Sequence, residues 1–126
     1  MAFEPNTRYK KQQKNFEELV FNGKLPPQAL DLEEAILGAM MLEKNAPEKV
    51  IDILKEDTFY SDANKFIFKA ISELFLKAKP IDILTVTEEL RKQGNLDLAG
   101  GPFYVTQLTN RVTSAANIEY HAHILI

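Results

Sequence analysis

An all-α fold follows from three features of this sequence. No segment sustains the two-residue alternation of a half-buried strand. Apolar residues instead recur three and four apart, most clearly as Phe66, Ile67, Ala70, Ile71, Leu74 and Phe75. Proline and glycine separate the periodic runs, at Pro26-Pro27, Pro47, Pro80, Gly94 and Gly100-Gly101-Pro102. The 126 residues suit one domain around one core.

Residues 1–24 are polar and aperiodic, and are expected to form a disordered tail. After Pro26-Pro27 a first helix carries Leu32, Ala35, Ile36, Ala39 and Met40, with Leu37 and Met41 widening the stripe. Asp31 near its start favours the positive helix end. Gly38 costs about 1 kcal/mol in a helix interior, which implies a second helix crossing closely there. A second helix starts near Pro47 and buries Val50, Ile51 and Leu54, until Asp57-Thr58-Phe59-Tyr60 breaks it. Ser61 or Asp62 caps the third helix. Its residues Phe66, Ile67, Ala70, Ile71 and Leu74 are predicted to pack on Ile36 and Met40. Lys65, Lys69, Glu73 and Lys77 lie off that face, and Pro80 stops the helix.

Thr85 with Glu88 has capping-box spacing. It opens a fourth helix with Val86 and Leu90, and with Leu84 beside them, closed by Gly94. Pro102 opens a helix bearing Phe103, Tyr104, Leu108 and Val112. Ser114 starts the last, with Ile118, His121, Ala122 and Leu125. Its pattern is still running at Ile126, so this helix is expected to be truncated.

Composition narrows the function. The sequence has no cysteine, which excludes disulfides and thiolate metal sites and fits a reducing compartment. No apolar run approaches the ~20 residues of a membrane span, and the N-terminus lacks a signal-peptide core. A cytoplasmic protein is expected. The net charge of -3 is uneven: +2 over residues 1–24 and -5 over residues 25–126. Phosphate neutralisation dominates DNA affinity, so an acidic body points to a protein partner.

The residues also offer no active site. A phosphate loop needs Gly-x-x-x-x-Gly-Lys-Ser/Thr. The one Gly-Lys pair, Gly23-Lys24, is followed by Leu25, and Glu18 stands where the first glycine belongs. His121 and His123 point apart on a helix and cannot share a metal. The adjacent pairs Glu33-Glu34 and Glu88-Glu89 diverge and read as solvated faces or caps. No nucleophile, base and orienting group come together. No cofactor or metal is expected in this chain.

A family resemblance joins these pieces. The run Pro26-Pro27-Gln28-Ala29-Leu30-Asp31-Leu32-Glu33-Glu34-Ala35-Ile36-Leu37-Gly38 resembles the opening of replicative DNA helicases of the DnaB type. Asp57-Thr58-Phe59-Tyr60, Ile67-Phe68, Pro80-Ile81-Asp82 with Thr85, Gly100-Gly101-x-x-Tyr104 and Ser114-Ala115-Ala116-Asn117-Ile118 continue it in order. The match covers about residues 26–126 and leaves the tail outside. Asp31 stands where the family usually has Glu, and Val105 where Leu is commoner.

The resemblance implies a helical head over residues 25–100 and the start of a helical hairpin over 101–126. In that family six copies form a collar beside a ring of RecA-like motors. Hairpins pair between subunits, the collar surrounds the DNA path, and it docks the C-terminal domain of primase. ATP and magnesium belong to the motor domain, which this sequence lacks. Carried over, Asp31 and Tyr104 are primase-docking candidates. Phe103, Leu108, Ile118 and Leu125 are candidates for contacts with other subunits. From the residues alone, a helical DNA-binding module and an adaptor unrelated to replication remain alternatives.

Overall fold

The computed structural model describes residues 29–112 and 115–126. The expected tail and the expected helix start at Ser114 lie outside the described residues. Among those described there are six α-helices, one 3-10 turn and no strand, as the apolar periodicity requires.

Helix α1, Ala29–Leu42, is the centre of the domain. Ile36, Leu37, Ala39, Met40 and Met41 are all buried, so it is enclosed on most sides. Every other helix but one packs on it. Gly38 is what permits this. A Cβ there would collide with the carbonyl oxygen of Leu108 and sit 2.8 Å from Val112 Cγ2. The close crossing expected from that glycine is therefore made by the fifth helix.

Helix α2, Ala46–Val50, has Pro47 in its first turn, where a missing N–H costs nothing. Val50 and Leu54 enter the core, while Ile51 is half-buried. The 3-10 turn Glu56–Thr58 redirects the chain and delivers Phe59, 1% exposed, into the core.

Helix α3, Asp62–Leu76, is capped by Ser61, whose hydroxyl accepts from the Asn64 amide at 3.4 Å. Ile67, Ala70, Ile71 and Leu74 share the buried cluster with Ile36 and Met40, as predicted. Phe66 corrects the prediction, because it is only half-buried and Phe68 takes the deep position. The ring of Phe59 draws the face that way: its centroid lies 5.1 Å from that of Phe68. Phe75 is likewise on the rim rather than in the core. The helix ends two residues sooner than Pro80 demands. Ala78, at φ 55, turns the chain, and the Lys79 amide donates to the Leu74 carbonyl.

Helix α4, Ile83–Lys92, starts one turn earlier than the Thr85–Glu88 pattern suggested. The capping box is Asp82 with Thr85: Asp82 Oδ1 accepts from the Thr85 amide at 2.9 Å, and Thr85 Oγ1 accepts from the Asp82 amide at 2.9 Å. Leu84 points to solvent, and Glu89 is buried with Val86 and Leu90. Gly94, at φ 76, closes the helix as expected.

Helices α5, Gly101–Thr109, and α6, Ile118–Leu125, complete the fold. Val105, Leu108, Ile118 and Ala122 belong to the same buried cluster as α1 and α3. The division expected at residue 100 is thus not marked by a break in the core. Helix α5 packs chiefly on α1, and α6 on α1 and α2.

Two substitutions test this packing. Gly38→Ala gains about 1 kcal/mol of helix propensity, but the clash is with backbone and cannot be relieved by a rotamer. A net loss of about 2 kcal/mol is expected from the denaturant midpoint. Ile71→Ala should cost about 2–5 kcal/mol in the same measurement.

Candidate functional site

The candidate surface lies where the first half of α1 meets α5, and it is built from the inside outward. Glu33 occupies the second turn of α1 and is 1% exposed. Its position is in phase with Ile36, Leu37 and Met40, so the helix carries it into the core rather than to solvent. There one oxygen, Oε2, accepts from the Tyr60 amide at 2.6 Å. The other, Oε1, accepts from the Ser61 amide at 3.4 Å and from Asn64 Nδ2 at 2.9 Å. These donors surround the N-terminus of α3, where unpaired amides and the helix dipole favour negative charge. A carboxylate from one helix thus finishes the cap of another.

Asn64 passes the connection on. Its Nδ2 faces Glu33, which fixes its amide orientation, and its Oδ1 accepts from the Tyr104 hydroxyl at 2.7 Å. Tyr104 comes from the first half of α5 and is half-buried. Its ring fits against Gly100, where a Cβ would come within 2.8 Å of it. Gly100 has φ 96, a left-handed conformation that glycine accepts without strain. The ring is therefore held at its edge by backbone and at its tip by Asn64.

Acidic and basic groups rim the tyrosine. Arg111 Nε lies 3.4 Å from Glu34 Oε1, with the arginine more exposed than the acid. Burial raises the Glu34 carboxyl above its ordinary value; Arg111 and the nearby Tyr104 hydroxyl oppose this, and Asp31 and Glu33 add to it. Asp31 itself is exposed in the first turn of α1. Burial, with the charges of Glu34 and Glu33, pushes the Tyr104 phenol up to about 12.

The structure thus brings Asp31 and Tyr104 to one neighbourhood through Glu34. It does not bring together the four subunit-contact candidates. Leu108 and Ile118 are 1% and 2% exposed, in the core of this chain, and offer no surface to another subunit. Their helical spacing is satisfied internally, by α1. Phe103 is 73% exposed, and Leu125 is half-buried against the core.

Glu33 and Asn64 were not singled out by sequence reasoning, which read Glu33-Glu34 as solvated or capping. The two do diverge, but Glu33 goes inward. The available signal was a charge in phase with the apolar stripe of α1. Glu89 is a second such case, accepting from Gln93 Nε2 at 2.9 Å. His121 is half-buried and His123 exposed, and the described residues hold no cluster of three or more His, Cys, Asp or Glu that could hold a metal. With each Glu33 oxygen already occupied, the arrangement suits recognition by a rigid surface rather than proton transfer. No helix among the described residues is long and apolar enough to cross a membrane.

Comparisons with known proteins give the site a context. The model of the DnaB-like helicase N terminal domain family matches residues 25–126. Replicative DNA helicase DnaB of Rhodothermus marinus is 50% identical over 103 residues, 82% of this chain and 11% of that protein. The DnaB of Treponema pallidum is 43% identical over 103 residues, again 82% of this chain, and 24% of its own length. A crystal structure of the N-terminal domain of DnaB helicase from Mycobacterium tuberculosis superposes with a TM-score of 0.74 at 38% identity, covering 80% of this chain and 70% of that one. The chain therefore spans between a tenth and a quarter of the length of these two full-length relatives.

The shifted phenol sets a pH dependence. Tyr104 is neutral when protonated and its value is raised in the fold, so its contribution to stability is complete below pH 10.0 and is lost as pH rises toward about 12. In an alkaline titration followed by phenolate absorbance, one of the four tyrosines should ionise late. Tyr104→Phe should remove that late step and flatten the alkaline fall in melting temperature.

Proposed function

Because the chain belongs to the family of DnaB-like helicase N-terminal domains, we propose that it is the non-catalytic collar part of a longer replicative helicase. In that setting it serves ring assembly and holds the C-terminal domain of primase during DNA replication in the cytoplasm. Unwinding, with its ATP and magnesium, belongs to motor sequence outside these 126 residues, and DNA is engaged mainly there. The other partners are further helicase subunits in a hexamer.

One observation carries the docking reading. Tyr104 is a half-exposed aromatic whose hydroxyl is tied to a buried asparagine, with Glu34 and Arg111 beside it and Asp31 next to Glu34. A fixed aromatic contributes contact area with little ordering cost, and such residues dominate binding energy at interfaces. The neighbouring charges orient a partner of opposite charge and speed its arrival. The acidic groups also disfavour phosphate, which supports a protein occupant over nucleic acid at this face. For subunit contacts, Phe103 supports the reading best, since it is large, apolar and open to solvent.

Calorimetric titration with the cognate primase C-terminal domain tests the proposal. Tyr104→Ala should weaken binding by about 1–3 kcal/mol without unfolding the domain, and Asp31→Ala by less. Wild-type affinity in both folded variants would move the dock elsewhere. Preferential binding of a DNA duplex would favour the DNA-binding alternative. A turnover assay on the pure chain should show no ATP hydrolysis, because the chain carries no phosphate loop.

A further inference from the structure

We infer that Glu33 and Asn64 are positioning residues for the docking surface, holding Tyr104 in its binding orientation from inside the domain. The inference rests on the docking reading and deepens it. Neither residue reaches solvent: each is 1% exposed, so neither can touch a partner. Yet the tyrosine tip has Asn64 as its hydrogen-bond partner at 2.7 Å, and Asn64 is oriented by Glu33 at 2.9 Å. Glu33 in turn is anchored by the Tyr60 and Ser61 amides. The chain of contacts therefore runs from the cap of α3, through α1, to a half-buried aromatic on α5.

A tyrosine held only at its ring edge by Gly100 could still swing on its two side-chain torsions. The hydroxyl bond to a buried amide that Glu33 already orients removes that freedom before a partner arrives. The same ring without its tether would have to be ordered on binding, and the affinity would fall by that cost. Asn suits the relay because it is donor and acceptor at once. It receives the phenol on one side and gives to the carboxylate on the other.

A double-mutant cycle tests this, with calorimetric affinity for the cognate primase C-terminal domain as readout and circular dichroism as the control for folding. Tyr104→Phe deletes the tether to Asn64 together with the hydroxyl's interaction with Glu34, and should weaken binding about threefold to tenfold. Asn64→Ala should weaken it by a similar factor. The double variant should be no weaker than Tyr104→Phe, because Asn64→Ala removes a link that Tyr104→Phe already lacks. In NMR spectra of Asn64→Ala, the contact between the Tyr104 ring and the Gly100 α protons should weaken. Should Asn64→Ala fail to fold, Tyr104→Phe made in a Glu34→Ala background decides, since the Asn64–Glu33 pair stays intact and a threefold or greater loss there belongs to the Asn64 tether, while no loss overturns it. The inference is overturned if Tyr104→Ala weakens binding while Tyr104→Phe binds like wild type, or if the two effects multiply independently. Wild-type binding by folded Tyr104→Ala would instead overturn the docking reading itself, and this inference with it.

Discussion

The buried carboxylate of Glu33 is the interaction on which the rest of the structure depends. Burying such a group is costly unless its oxygens are met, and here two backbone amides and one side-chain amide meet them. Hydrogen bonds to a charged group contribute about 1.5–3 kcal/mol each, and a whole domain's margin is only about 5–15 kcal/mol. The arrangement also fixes geometry. It sets α1 against the start of α3, and through Asn64 it sets α5 against both. A shift of any one of the three helices would leave a buried polar atom unpaired.

Gly38 is the complementary constraint. It brings α5 onto α1 by removing one side chain, so that the Leu108 carbonyl lies where a Cβ would be. Polar ties at one end of α1 and close backbone approach at its middle hold the helix pair in a single register. At its surface this pair carries the half-buried Tyr104 beside Glu34 and Arg111, with Asp31 next to Glu34. On the proposed docking reading, such a surface gains from being ordered in advance, and Asn64 and Glu33 order this one from beneath.

Most of the helix order was legible in the sequence, because apolar period and punctuation agree there. Ile67, Ile71 and Leu74 repeat cleanly, Gly94 closes its helix, and Gly38 announces a close crossing. The misses have local causes. The core face of α3 runs through Phe68 rather than Phe66, since Phe59 waits on that side, and a partner ring cannot be read from a single helix. The Thr85–Glu88 spacing imitates a capping box whose true first member is Asp82. Leu108 and Ile118 were named for another subunit from the family's hairpin pairing, and neither that resemblance nor their period says that α1 already covers them. The candidate site was half legible: the family resemblance named Asp31 and Tyr104, which the fold places either side of Glu34, but the residues that tether the tyrosine were hidden. Two adjacent glutamates look alike in sequence, and only the phase of α1 sends Glu33 inward and Glu34 to the rim.

Hydrogen exchange at the Tyr60 amide tests the central claim most directly. Tyr60 lies outside any helix and its side chain is half-exposed, so its amide would ordinarily exchange as quickly as a surface loop. If Glu33 holds it, that amide should exchange only through unfolding of the whole domain, with protection matching the core amides of α3. Rapid exchange there, while the α3 core stays protected, would contradict the account.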